Sequence, residues 1–161
     1  MSVLLYKASM PIMPAGINAS YKVGMTSSGR AKMIHGEKAK DFILEAYYRF
    51  KEAKYAIINH ESISVVARDN TPLELCITFY LKQRGKYESS LYKRDIDGGL
   101  KATIDVLFDF LSLNDKLIVD MPVKKRVAMG EPHIYLELRT LDMEEIRKDT
   151  KEYGEVFMQS V

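Results

Sequence analysis

The chain has 161 residues, 47% hydrophobic and 29% charged, a balance that fits one globular domain with a sizeable core and excludes an intrinsically disordered protein. No apolar run approaches a membrane span, and the opening MSVLLYKASMPIMP lacks the basic segment and long apolar stretch of a secretory signal. The lone Cys76 excludes an intramolecular disulfide, and with His35, His60 and His133 isolated a histidine or cysteine metal site is improbable. A reducing, cytoplasmic setting and a buried structural thiol are the expectation.

Residues 3–8 predict a short strand, followed by a Pro/Gly/Ser-rich loop from Pro11 to Gly36 that carries Lys22, Arg30 and Lys32. Phe42, Ala46, Phe50, Ala53 and Ile57 recur at helical spacing and predict a core-facing helix ending near Asn59. Residues 62–67, SISVVA, read as a strand because of their β-branched content, closed by the turn signal Arg68-Asp69-Asn70-Thr71-Pro72. LELCITFYLK alternates, with Leu73, Leu75, Ile77, Phe79 and Leu81 on one face of a strand. A basic loop with Lys82, Arg84, Lys86, Lys93 and Arg94 follows, and Tyr87 and Tyr92 lie within it. A helix to about Leu111 buries Leu100, Ile104, Leu107, Phe108 and Leu111. KLIVDMPV and HIYLELRT predict a closing strand hairpin around the basic turn Lys124-Lys125-Arg126. Asp142-Met143-Glu144-Glu145 has capping-box spacing and predicts a short C-terminal helix.

The pattern predicts an α+β fold, a small mixed sheet with two helices on one face in the order β-α-β-α-β-β, plus that last helix. Domain organisation follows from charge: residues 142–161 hold six acids and three bases, so residues 1–141 carry +5 of a net +2. Basic clusters of this kind fit a nucleic-acid surface, although each alone is also a solvated loop.

The stretch YKRDIDGGLKATID, residues 92–105, departs most from ordinary packing. Asp97, Lys101 and Asp105 succeed one another at spacings of four and share one side of the predicted helix. As structure alone, Asp97 is an N-cap and the rest an ion-pair ladder. As chemistry, Asp95 and Asp97 converge on a point, and Gly98 and Gly99 let a backbone approach a phosphate. Asn114-Asp115 beyond the helix supplies a further acid. Three carboxylates form a hard oxygen set suited to magnesium or manganese, and Lys101 is placed to stabilise phosphate charge.

The order Arg94-Asp95-x-Asp97-x-x-x-Lys101-x-x-x-Asp105, then Asn114-Asp115 before an apolar strand, resembles the RusA family of Holliday-junction resolvases. Asn18-x-x-Tyr21 and Gly29-Arg30 are similar to the family's N-terminal loop, and the likeness spans roughly residues 3–141. The resemblance implies a homodimeric, magnesium-dependent endonuclease, with manganese a possible substitute, that makes paired nicks in branched DNA. It implies Asp95, Asp97 and Asp115 as metal-binding acids and Lys101 as the catalytic lysine, with Asp105, Asn18 and Tyr21 in support. Lys22, Arg30, Lys82, Arg84, Lys86, Lys93, Arg94, Lys124, Lys125 and Arg126 are the candidates for tracking the DNA backbone. The family usually has asparagine where this chain has Gly98. A junction binder that has lost its chemistry, and a hydrolase of small phosphate esters, are the competing readings.

Overall fold

The computed structural model describes residues 1–14, 21–52, 56–94, 97 and 99–161. Three strands form the centre of the sheet: β1 (Leu4–Met10), β5 (Leu73–Leu81) and β8 (His133–Thr140). The others are β2 (Tyr21–Met25), β3 (Ala31–His35), β4 (Ile57–Ile58), β6 (Ile118–Asp120) and β7 (Val123–Val127). The helices are α1 (Glu37–Glu52), α2 (His60–Asp69), α3 (Tyr87–Tyr92), α4 (Leu100–Leu111) and α5 (Met143–Ser160), with a 3-10 turn at Asp115–Leu117. The main sheet runs β4-β1-β8-β5-β6, and β7 pairs with β5 as well. β8 lies antiparallel between β1 and β5, whereas β6 and β7 lie parallel to β5. The expected mixed α+β sheet is therefore present.

Period-two alternation sets which face of this sheet is buried. Ile134, Leu136 and Leu138 pair with Met10, Ala8 and Tyr6 on one side and with Phe79, Ile77 and Leu75 on the other. All nine are buried, and they form one apolar face. The opposite face carries Lys7, Tyr135, Glu137, Arg139, Cys76 and Lys124. The Glu137 carboxylate accepts from the Tyr135 hydroxyl and pairs with Arg139. These two hydrogen bonds hold it below the usual carboxylate range. Cys76, expected to be buried, is half-buried on this face.

α1 and α4 pack through aromatic rings over the apolar face. Phe50 and Phe110 stack at 5.1 Å, and Tyr6 meets both edge-on at 5.8 and 6.4 Å. The Tyr6 hydroxyl is buried with no hydrogen-bond partner among the described residues, and desolvation drives its pKa well up.

Four expectations are corrected. Residues 62–67 are not a strand but belong to α2. Asn59 caps that helix by accepting from Ser62 N at 3.1 Å, and Asn70 closes it in the left-handed region at φ 52°. Only Ile63 and Val66 of its side chains are buried, a helical spacing. The preceding helix does not reach Asn59, because Ile57 belongs to β4; Ala53 lies outside the described residues. The 11–36 loop contains the β2–β3 hairpin, turned at Gly29 with φ 77°. Finally, Lys124-Lys125-Arg126 form a strand rather than a turn, and β7 and β8 are separated by β5 instead of forming a hairpin. α5 is also long, at 18 residues, with Asp142 capping it through Glu144 N at 2.8 Å.

Candidate active site and nucleic-acid interface

α4 organises the acidic residues. Its buried stripe of Ala102, Thr103, Val106, Leu107, Phe108 and Leu111 anchors it to the sheet, which turns Lys101 and Asp109 outward. Lys101 Nζ donates to Asp105 Oδ1 at 3.2 Å, the pairing that spacings of four predict. Asp97 is exposed just before the helix. It is not the cap: Gly99 occupies that position without a side-chain hydrogen bond, and Asp97 contributes its carbonyl to Leu100 N at 3.2 Å. Asp95 and Gly98 lie outside the described residues, as does Asn18.

Gly99 has a specific reason to be glycine. It is buried, and a Cβ there would lie 2.1 Å from Pro14 Cγ. Its φ of −157° is open to any residue, so the demand is for space. Its carbonyl accepts from the buried Thr103 hydroxyl at 2.8 Å. The start of α4, and with it Asp97 and Lys101, is thus seated against the segment that follows β1.

Asp115 stands at the other end. It opens the 3-10 turn after α4 and is exposed, and the chain then enters β6 opposite Leu73. A helix of 12 residues spans about 18 Å, and α4 lies between Asp97 and Asp115 in the chain. Among the described residues, no group of three or more acid, histidine or cysteine donors is gathered at one point.

The basic loop folds into a cleft at the carboxyl end of β5. This cleft of about 350 Å³ is lined by Met13, Leu81, Lys82, Arg84, Ser90, Lys93, Arg94 and Pro132. Among the described residues that line it, Lys82, Arg84, Lys93 and Arg94 are cationic. Arg94 is half-buried, and its Nη2 has no hydrogen-bond partner among the described residues. Desolvation pulls its pKa down, the signature of a buried cation that an anion would compensate. Lys125 Nζ donates to the Arg94 carbonyl at 2.8 Å, which ties the loop to β7.

Ser90, which sequence reasoning missed, shapes the loop. It is buried, accepts from Arg84 N at 2.8 Å and lies 2.9 Å from the Lys86 carbonyl, to which its hydroxyl donates. Pro14 was missed as well. A small polar residue within a charged run was the only signal for the first, and nothing local pointed to the second.

The remaining bases divide. Lys82, Arg84 and Lys93 are exposed on the cleft lining, and Lys86 is exposed on the same loop. Lys124 and Arg126 project from β7 to the opposite face from Lys125, because side chains alternate along a strand. Arg30 is exposed at the hairpin end, and Lys22 and Tyr21 lie on β2. A larger cleft, about 550 Å³, lies at the far end of β5 beside Pro72 and Thr140. Its rim carries Glu61, Asp69 and Asp142, acids that repel phosphate.

Acids before and after α4 and a cationic cleft on an α+β scaffold fit the class of phosphodiester-cleaving nucleases. Residues 23–139 match the family model Endodeoxyribonuclease RusA. The chain belongs to that family of Holliday-junction-resolving endonucleases. No curated protein matches the chain. No helix among the described residues is long and apolar enough to cross a membrane.

Proposed function

We propose that the chain resolves four-way DNA junctions as a two-fold dimer, nicking two strands symmetrically with magnesium held by Asp95, Asp97 and Asp115. The observation that carries this reading is the cleft around Arg94, one residue before the acidic motif, where Lys82, Arg84, Lys93 and Arg94 gather. It offers a phosphate several cations and a guanidinium N–H that has no partner among the described residues. Lys82, Arg84, Lys86 and Lys93 extend the field along the DNA backbone. Tyr87 and Tyr92, 46% and 76% exposed, offer ring faces for bases opened at the crossover.

The carboxylates suit a hard divalent ion, magnesium first and manganese as its substitute. When bound, the ion polarises the phosphoryl oxygen and lowers the pKa of the attacking water. Lys101, steadied by Asp105, holds positive charge for the transferring phosphate on the side of α4 that follows Asp97. With α4 between Asp97 and Asp115 of one protomer, the Asp115 carboxylate reaches the site from the second copy. A C2 pair then supplies two equivalent sites, one per nicked strand.

Complementation tests this arrangement. Asp97→Asn and Asp115→Asn proteins are each expected to be inactive on a labelled four-way junction with magnesium. Subunit exchange between them rebuilds one intact site per mixed dimer, so single-strand nicking returns. Persistent inactivity of verified mixed dimers would show that each site is built within one chain. Parent protein that binds the junction tightly without nicking would be a binder only. Turnover of a small phosphate ester without junction affinity would also overturn the proposal.

A further inference from the structure

The sheet face opposite α1 and α4 carries rings and cations that the proposed site does not use. Strand register sets which of its side chains share a row. Tyr80 on β5 pairs with Arg126 on β7 and with His133 on β8, and in the next row of this face Thr78 pairs with Lys124 and Tyr135. The Tyr80 and His133 rings stack with centroids 4.4 Å apart and planes 12° apart. His133 Nδ1 donates to the Glu131 carbonyl at 3.0 Å, which holds the imidazole in that pose. Both rings are half-buried, while Lys124 and Arg126 are exposed. β1 ends at Met10, opposite Ile134, so among the described residues no strand continues the row beyond His133. The stack thus has Arg126 at one end and the limit of the sheet at the other.

The stack also adjoins the cationic cleft. Leu81 and Pro132, the chain neighbours of Tyr80 and His133, both line the cleft that holds Arg94. We propose that the Tyr80–His133 pair is a stacking site for an unpaired nucleobase of the DNA strand whose phosphate lies in that cleft. The identity of the strand rests on the nuclease reading. The base adds a further layer to the stack at His133, a contact that tolerates any base because each has a flat π-face. Arg126 and Lys124 take the phosphates that follow. A nucleotide is flat at one end and anionic at the other, which matches rings beside exposed cations; an apolar partner would leave both cations without counter-charge. The acids of this face do not cancel that match. Glu137 is held by Tyr135 and Arg139. Glu74, with Asp120 beside it, is six residues along β5 from Tyr80, about 20 Å away. Glu131, exposed in the turn before β8, is outnumbered by Lys124 and Arg126.

Fluorescence anisotropy of the full chain with a labelled oligothymidine strand, a paired duplex of the same length and a four-way junction, all in EDTA, tests the site. His133→Ala is expected to weaken oligothymidine binding about tenfold and duplex binding by less than about twofold. Tyr80→Leu should act in the same way, and His133→Phe, which keeps a flat ring, should restore most of the affinity. Arg126→Ala should reduce the salt slope on the strand by roughly 0.7. Thermal midpoints measured alongside separate a lost site from a lost fold, and rescue by phenylalanine decides the case if alanine destabilises β8. Parent protein with no oligothymidine affinity at micromolar concentration would overturn the proposal. So would unchanged affinity in both ring variants, or equal losses on strand and duplex. A smaller sedimentation coefficient for free His133→Ala, with DNA affinity held, would give the face to a second copy instead and overturn it too. Ring-dependent strand binding by a protein that never nicks a junction would count against the nuclease reading alone. Junction nicking together with strand binding that ignores the rings would sink this proposal alone.

Discussion

Replacing Gly99 by alanine puts a methyl carbon where Pro14 Cγ lies 2.1 Å away and Pro14 Cβ 2.8 Å away. Real Cβ contacts essentially never fall below 3.0 Å, so either the ring or the start of α4 must move. Pro14 is itself buried, which leaves the ring no route to solvent. Overpacking of this kind costs about 1–3 kcal/mol. Alanine recovers roughly 0.4–1 kcal/mol by restricting the unfolded chain. The net expectation is a loss of about 1–2 kcal/mol, or a fall of roughly 3–6 °C in Tm for a chain of this size. Urea and thermal denaturation of Gly99→Ala, Pro14→Gly and the double variant measure it. The double variant should recover stability relative to additivity by about 1 kcal/mol. Junction nicking by Gly99→Ala should fall at least about tenfold at temperatures where it is folded, because displacing Asp97 and Lys101 costs alignment. An unchanged midpoint together with additive single effects would refute the steric account.

Tyr6→Phe removes a buried hydroxyl that has no partner among the described residues and should leave stability unchanged or raise it by up to about 1 kcal/mol; a clear drop in the urea midpoint would mean that the hydroxyl is satisfied. Asn59→Ala removes the side-chain acceptor for Ser62 N and should cost about 1 kcal/mol, seen as earlier exchange of the first amides of α2. Glu137 ionises more readily folded than unfolded, so its contribution is present above the ordinary value of 4.5 and is lost as pH falls below it. Glu137→Gln should flatten the stability–pH curve in that acid window, and an unaltered curve would exclude the pairing with Tyr135 and Arg139. Arg94→Ala should weaken junction binding by about tenfold and reduce the salt slope by roughly 1; an effect equal to that of Lys86→Ala would remove the special standing of the cleft.

The central strands and α4 were legible because their patterns are local. β5 and β8 alternate cleanly, and the α4 stripe repeats at helical spacing. α2 was misread because Ile63, Val65 and Val66 favour strands, while the signals that decide it are the two asparagines at its ends. The β2–β3 hairpin escaped notice because Val23 and Met25, alternate residues on one side of β2, are both exposed, so burial does not enforce an apolar pattern there. The pairing of β7 with β5 is non-local and leaves no local trace. The acidic motif could be recognised from its order alone. The placing of Asp97 and Asp115 about α4 could not, because it depends on where α4 actually begins and ends.

The family match begins at residue 23, yet β1 ends at Met10 and Pro14 lies beyond it. A chain trimmed to the matched segment would keep the acidic motif, Asp115 and the cleft's cations. It would also expose one whole edge of β8 and remove Tyr6, Ala8 and Met10 from the core. Such a fragment would be a candidate for aggregation rather than a minimal enzyme. The smallest unit that can be excised is therefore set by strand pairing, and it is larger than the segment by which the family is recognised.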